Sequence, residues 1–158
     1  YAGEDIKFIA RRIMICAAED VGNADPMALT VAVSAAQAVE RIGMPEAQII
    51  LSQAVLYVAT APKSNSACNA IFAAMDVVNS GKGGSVPRQL QNKHFDGAEV
   101  ERKGQFYKSP HDFPRHWVEQ QYLPDDIASR VYYEFGENKT EAAARAYAEA
   151  IGSYKGKK

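Results

Sequence analysis

Between Met27 and Ile42 the polar residues shrink to a thin stripe, Thr30, Ser34, Gln37 and Arg41, with Glu40 beside it; every other position is apolar. The next segment, with Ile49, Ile50, Leu51, Val55, Leu56, Tyr57 and Val58, is nearly as apolar all round. A helix that is apolar on every side is buried on every side. One such helix can be the centre of a bundle. Two adjacent ones, in a chain of 158 residues, strain that arrangement. Two covers stay open: another copy of the chain, or the chain's own aromatic half.

The helix boundaries are punctuated by capping and breaking residues. Helix one is predicted from about Glu4 to Glu19, with Ile6, Ile9, Ile13 and Cys16 on one face and Gly22 after its end. Asp25-Pro26 supplies an N-cap followed by proline at the first helical position of helix two, which runs to Ile42 and stops at Gly43. Pro45 opens helix three, which runs to about Ala61 before Pro62. Ser64 or Asn65 caps helix four, which runs to about Asn79. The short connections predict antiparallel hairpins. Thr140 is the expected N-cap of a last helix ending near Ile151.

Alanine and aromatic residues divide the chain. Eighteen alanines precede residue 81 and eight follow it; four aromatics precede it and eleven follow. The first half therefore reads as helices that approach closely, and the second as bulky anchors. The expectation is an all-α fold: one helical domain over 1–158, with four Ala-rich helices in 1–80, an irregular aromatic-rich covering segment in 81–136 and a final helix in 139–152. Within the covering segment, a short helix near Asp96–Arg102 and one helical turn at Pro124–Ser129 are expected. A minor β-ribbon pairing Val131–Phe135 with Gln105–Tyr107 is the most strand structure the pattern allows.

Net charge is −1, from 18 basic and 19 acidic residues, which excludes a strongly basic nucleic-acid-binding domain but not a local basic patch. The two cysteines, Cys16 and Cys68, do not form a disulfide scaffold and predict a reducing, intracellular setting. No apolar run reaches the roughly 18 residues of a membrane span, and no signal peptide is expected. The chain starts at Tyr1 without an initiator Met and reads as a piece of a longer protein.

Candidate chemistry is sparse, and no catalytic, cofactor or metal residue is assigned. Gly81-Lys82-Gly83-Gly84-Ser85 lacks the G-x-x-x-x-G-K-S/T spacing, is not preceded by a buried strand, and is expected to be a plain linker without the nest of amides that holds phosphates. His111, Asp112 and His116 suggest a metal, but a metal needs three or four converging ligands, and His111 and Asp112 are expected instead to bond loop amides. Glu19 and Asp20 sit where the helix dipole disfavours anions; they read as a docking site for a partner's arginine or as a corner in which the carboxylates cap amides. Basic and aromatic residues interleave from Arg88 to Trp117. Arg88, Lys93, Arg102 and Lys103 are therefore the candidate DNA contacts of an alternative reading, a DNA-contacting module that binds single-stranded or forked DNA through the 88–117 segment. The preferred reading is self-assembly through helices two and three, with Leu29, Val33, Ile50 and Leu56 as the contacting positions.

Several short motifs carry a resemblance. Ala18-Glu19-Asp20-Val21-Gly22, Ala24-Asp25-Pro26, Gly43-Met44-Pro45-Glu46-Ala47 and Ala61-Pro62-Lys63-Ser64-Asn65 are followed by Tyr107-Lys108-Ser109-Pro110-His111-Asp112-Phe113-Pro114 and Gln120-Gln121-Tyr122-Leu123-Pro124. In this order, from about Gly3 to Phe135, they resemble the C-terminal region of the RarA/MgsA proteins. Those are AAA+ ATPases of replication-associated recombination, related to the Werner-helicase-interacting protein. The resemblance implies a helical domain like the collar of clamp loaders, which assembles the protein into a homotetramer. It also implies that ATP and Mg belong to an ATPase domain upstream. The parent would be a DNA-stimulated ATPase working with single-strand-binding protein at stalled forks, in the cytoplasm and associated with the nucleoid. Lys93–Gln105 departs from the family's lysine- and leucine-containing pattern, and the alanine-rich last helix looks particular to this chain.

Overall fold

The computed structural model describes residues 3–91 and 107–154. The described residues are helical: α1 (Ile6–Cys16), α2 (Met27–Ile42), α3 (Ala47–Thr60), α4 (Ser66–Asn79) and α5 (Lys139–Ile151), with short 3₁₀ turns between them. Among the described residues no strand forms, and residues 131–135 run without a ladder partner. The predicted ribbon is therefore not made by its described half; Gln105, Phe106 and the short helix expected at Asp96–Arg102 lie outside the described residues. The helical turn expected after Pro124 is present as Asp125–Ile127.

The contacts group into two compact units, Tyr1–Phe72 with Tyr133–Ala146, and Ala73–Tyr132 with Tyr147–Lys158. In the first unit α1 packs on both α2 and α3, which pack on each other. Asp5 caps α1 by accepting the Lys7 N–H at 2.8 Å. The helix does not run on regularly to Glu19 as the spacing predicts. It widens into a π-helical turn, Ala17–Val21, that ends at Gly22. The wider turn carries buried Ala17 and Val21 into the core and leaves Ala18, Glu19 and Asp20 outside.

The core cluster is Ile13, Ala17, Val21, Ala28, Ala32, Ala35, Ala54 and Val58. Alanine dominates it, so the backbones approach closely but each buried side chain removes little apolar area from water. Of the predicted apolar stripe on α1, Ile13 is buried, Cys16 packs partly buried against the cluster, and Ile9 stays 36% exposed.

The last helix begins at Lys139, as the expected range 139–152 has it, but Asn138 rather than Thr140 takes the N-cap place. Asn138 Oδ1 accepts the Glu141 N–H at 3.0 Å. The Thr140 hydroxyl instead donates to the Ala24 carbonyl at 2.8 Å. The Asn138-x-x-Glu141 spacing is that of a capping box, a signal that was open to reading in the sequence.

Candidate functional site

The four predicted contact residues separate on the structure. Leu29 and Val33, one turn apart on α2, are 42% and 37% exposed, and Leu56 on α3 is 60% exposed. Ile50 turns inward and packs, partly buried, against the core cluster. Val33 borders a hollow with Lys7 and Glu40, whose charged atoms lie 3.9 Å apart. Two turns before Leu56, Ile49 is 69% exposed. Seven residues are two helical turns, so the pair forms one ridge on α3, away from buried Ala47, Ala54 and Val58. The size distribution is inverted relative to an ordinary domain: alanine, with Ile13, Val21 and Val58, fills the core cluster, while Phe8, Met27, Leu29, Ile49 and Leu56 stand outside. On α4 no residue is buried, and Ile71, Phe72, Met75 and Val78 are each about half exposed or more.

The family-motif residues build a corner where the π turn meets the start of α4. Gly22 has φ +50°, and a Cβ there would lie 2.7 Å from the Ser64 carbonyl oxygen. The Ser64 N–H donates to the Asp20 carbonyl at 2.8 Å. Glu19 and Asp20 are exposed, and it is the Asp20 main chain that fixes the corner. The Lys63 ammonium donates to the carbonyls of Val58 (2.9 Å), Ala59 (3.2 Å) and Ala61, closing the carbonyl end of α3 with a cation. Ser64 Oγ accepts the Ser66 N–H at 3.3 Å, the capping contact expected for α4; Asn65 is exposed beside it. Asp25 accepts the Met27 N–H at 3.1 Å with one oxygen and the Tyr57 hydroxyl at 2.8 Å with the other. That second bond, then burial and the Asp25 charge, push the Tyr57 phenol above its ordinary value. Pro26 immediately precedes α2, where its missing N–H costs nothing.

A second cluster had no sequence expectation attached to it. Glu141 is 1% exposed, the one buried charged side chain among the described residues. Its carboxylate accepts from the Tyr133 hydroxyl, the Asn138 side-chain amide, Ser64 and the Gly136 N–H. Burial pushes the carboxyl up, but these donors together outweigh it and hold the group below the ordinary carboxylate range. A Cβ on Gly136 would lie 2.7 Å from Glu141 Oε2, so a side chain there requires the carboxylate to shift. Tyr133 in turn accepts from the Asn23 amide at 3.1 Å. Burial and the Glu141 contact raise its phenol. Ser64 thus serves both the α4 cap and this carboxylate.

In the second unit, the glycine-rich loop does present amides to an anion. Gly83 and Gly84 N–H groups donate to the two oxygens of Asp126, at 2.7 and 3.2 Å. Successive glycine amides converge here, and a carboxylate of the same chain fills them. The Gly83 bond is the main cause holding Asp126 below its ordinary value. His111 and His116 stack at 5.5 Å with tilted rings. The amides of Asp112 and Phe113 are taken by the carbonyls of Ser109 and Pro110, at 3.1 Å each, rather than by the His111 and Asp112 side chains. Among the described residues no group of three or more His, Cys, Asp or Glu side chains is placed to hold a metal. Arg88 opens a 3₁₀ turn and is already engaged; Lys93, Arg102 and Lys103 lie outside the described residues. No described helix is long and apolar enough to cross a membrane.

Comparison with known proteins matches this sequence to one family. The sequence model described as MgsA AAA+ ATPase C terminal covers residues 1–152. It takes in α5, so the last helix is a family feature and not particular to this chain. Replication-associated recombination protein A of Bacillus subtilis is 45% identical over 130 residues, covering 82% of this chain and 31% of that protein. An AAA domain-containing protein of Mycobacterium tuberculosis is 52% identical over 132 residues, covering 84% of this chain and 29% of that protein. The ATPase WRNIP1 of Dictyostelium discoideum is 34% identical over 129 residues, covering 81% and 15%. The chain thus spans about three-tenths of the length of the first curated relatives it matches. It belongs to the family of MgsA AAA+ ATPase C-terminal domains, linked to replication-associated recombination.

Proposed function

We propose that this chain is the self-assembly domain of its parent ATPase, bringing copies together as a homo-oligomer, with a tetramer as the expected number. The observation that supports the reading is the inverted size distribution. Leu29, Ile49, Val55 and Leu56 are 42–69% exposed around an interior filled mainly by alanine. Removing such side chains from water stabilises by about 1.5–3 kcal/mol each when burial is complete, and a sister chain supplies the missing cover.

In this reading the chain does no chemistry. ATP and Mg bind in the ATPase portion of the parent. The parent acts as a DNA-stimulated ATPase at stalled forks alongside single-strand-binding protein, in the cytoplasm at the nucleoid. The domain's contribution is to set the number and spacing of ATPase units that meet the DNA.

The test is the molar mass of the 158-residue chain in solution by light scattering, alongside Leu56→Glu. The expected result is about four times the chain mass for the native sequence. The variant should have a lower mass and an unchanged helical circular dichroism signal, because a charge at a subunit contact is desolvated without a partner. A native chain that stays monomeric well above micromolar concentration overturns the proposal.

A further inference from the structure

Beside the exposed ridge of α3 runs a groove of about 340 Å³ between α1 and α3. Its walls include Phe8 and Ile9 from α1 and Val55 and Val58 from α3. Phe8 is 46% exposed and Val55 45%, while Val58 at 8% forms part of the floor. Glu4, just before α1, and Arg12, within it, also line the groove, eight residues apart in the chain. Ridge and groove are neighbours on one helix: Leu56 follows Val55 and is turned about 100° further around α3.

We propose that this groove receives a second copy of the chain in a two-fold, antiparallel pairing. The exposed α3 ridge of each copy enters the groove of the other, and Glu4 of each faces the partner's Arg12. The inference rests on the self-assembly reading and names the surface and symmetry that serve it.

Three observations favour a second copy as the occupant. A two-fold interface places one surface patch against itself, so a ridge lying beside a groove is complementary to its own copy. The lining charges are of opposite sign, Glu4 at the N-terminal end of the groove before α1 and Arg12 about two turns further on within α1. An antiparallel copy therefore brings unlike charges together at both ends, whereas a parallel copy would bring like charges together. The exposed parts of Phe8, Ile9, Ile49, Val55 and Leu56 amount to on the order of 400 Å² of apolar surface. A standard interface takes roughly 800 Å² from each partner, a little over half of it apolar. The patch supplies about that apolar share.

The experiment is a charge reversal in the 158-residue chain, read as association strength by sedimentation at low salt. Glu4→Arg and Arg12→Glu are each expected to weaken association about tenfold, because each sets like charges against one another at both ends. The double reversal E4R/R12E is expected to restore association to within a few-fold of native, which a merely structural role of either residue would not do. Phe8→Ser, on the groove wall, is expected to weaken association at least tenfold independently of salt. Assembly that persists unchanged in both single reversals and in Phe8→Ser overturns this pairing while leaving self-assembly in place, and points to a different occupant. A native chain that is monomeric overturns both proposals.

Discussion

Gly22 approaches Ser64 so closely that a Cβ on it would lie 2.7 Å from the Ser64 carbonyl oxygen. The same Ser64 donates its N–H to the Asp20 carbonyl and its hydroxyl to buried Glu141. One residue thus joins the end of the π turn, the start of α4 and the start of α5. Glu19-Asp20-Val21-Gly22 and Lys63-Ser64-Asn65, read apart in the sequence, are two sides of one backbone contact.

Gly22→Ala should therefore destabilise by about 2–4 kcal/mol, combining a left-handed φ with a clash against main chain that cannot swing away. Urea unfolding followed by circular dichroism measures it. A loss below about 0.5 kcal/mol would mean that the corner relaxes.

Glu141→Gln replaces a carboxylate that accepts from several donors with an amide whose NH₂ must face one of them. A loss of about 1–3 kcal/mol at neutral pH is expected. The native carboxyl is held below its unfolded value. Its stabilisation is therefore complete above the ordinary carboxylate range and disappears as pH falls through the depressed folded value. The stability difference between native and Glu141→Gln should shrink steadily on acidification, and a pH-independent difference would refute this account.

Asp126→Ala empties the glycine amides. Exchange of the Gly83 and Gly84 N–H groups with deuterium should accelerate a few-fold to about tenfold, with other amides far less affected. In the native chain the same two amides should lose protection on acidification, since Asp126 is also held below its ordinary value and its contribution is lost as it protonates. Unchanged exchange in the variant would show that the loop holds its shape without the carboxylate.

Asn138→Ala removes the cap of α5 and should cost about 1 kcal/mol, whereas Thr140→Ala should leave the helix start intact and remove only the bond to Ala24. Nuclear magnetic resonance chemical shifts of residues 139–142 distinguish the two. Fraying in Thr140→Ala rather than Asn138→Ala would return the cap to Thr140.

The five helices were legible in the chain because local signals set them. Asp25-Pro26, Gly43 and Pro62 punctuate the segments, and apolar periodicity fills them. The apolar surplus of α2 and α3 was legible too, since composition alone shows more greasy surface than polar stripe. What the sequence could not show depended on main chain meeting main chain at long range. The Gly22–Ser64 contact and the filling of the Gly83–Gly84 amides by Asp126 each join residues about 40 apart, and no local pattern encodes such a meeting. No sequence expectation attaches to Glu141, and only the tertiary structure buries it, by surrounding it with donors from Tyr133, Gly136, Asn138 and Ser64. Periodicity and capping are properties of neighbours along the chain, so the amino-acid order determined the helices and their surplus. Burial and close approach are properties of neighbours in space, so the fold alone decided which apolar residues turned inward and which carboxylates found partners.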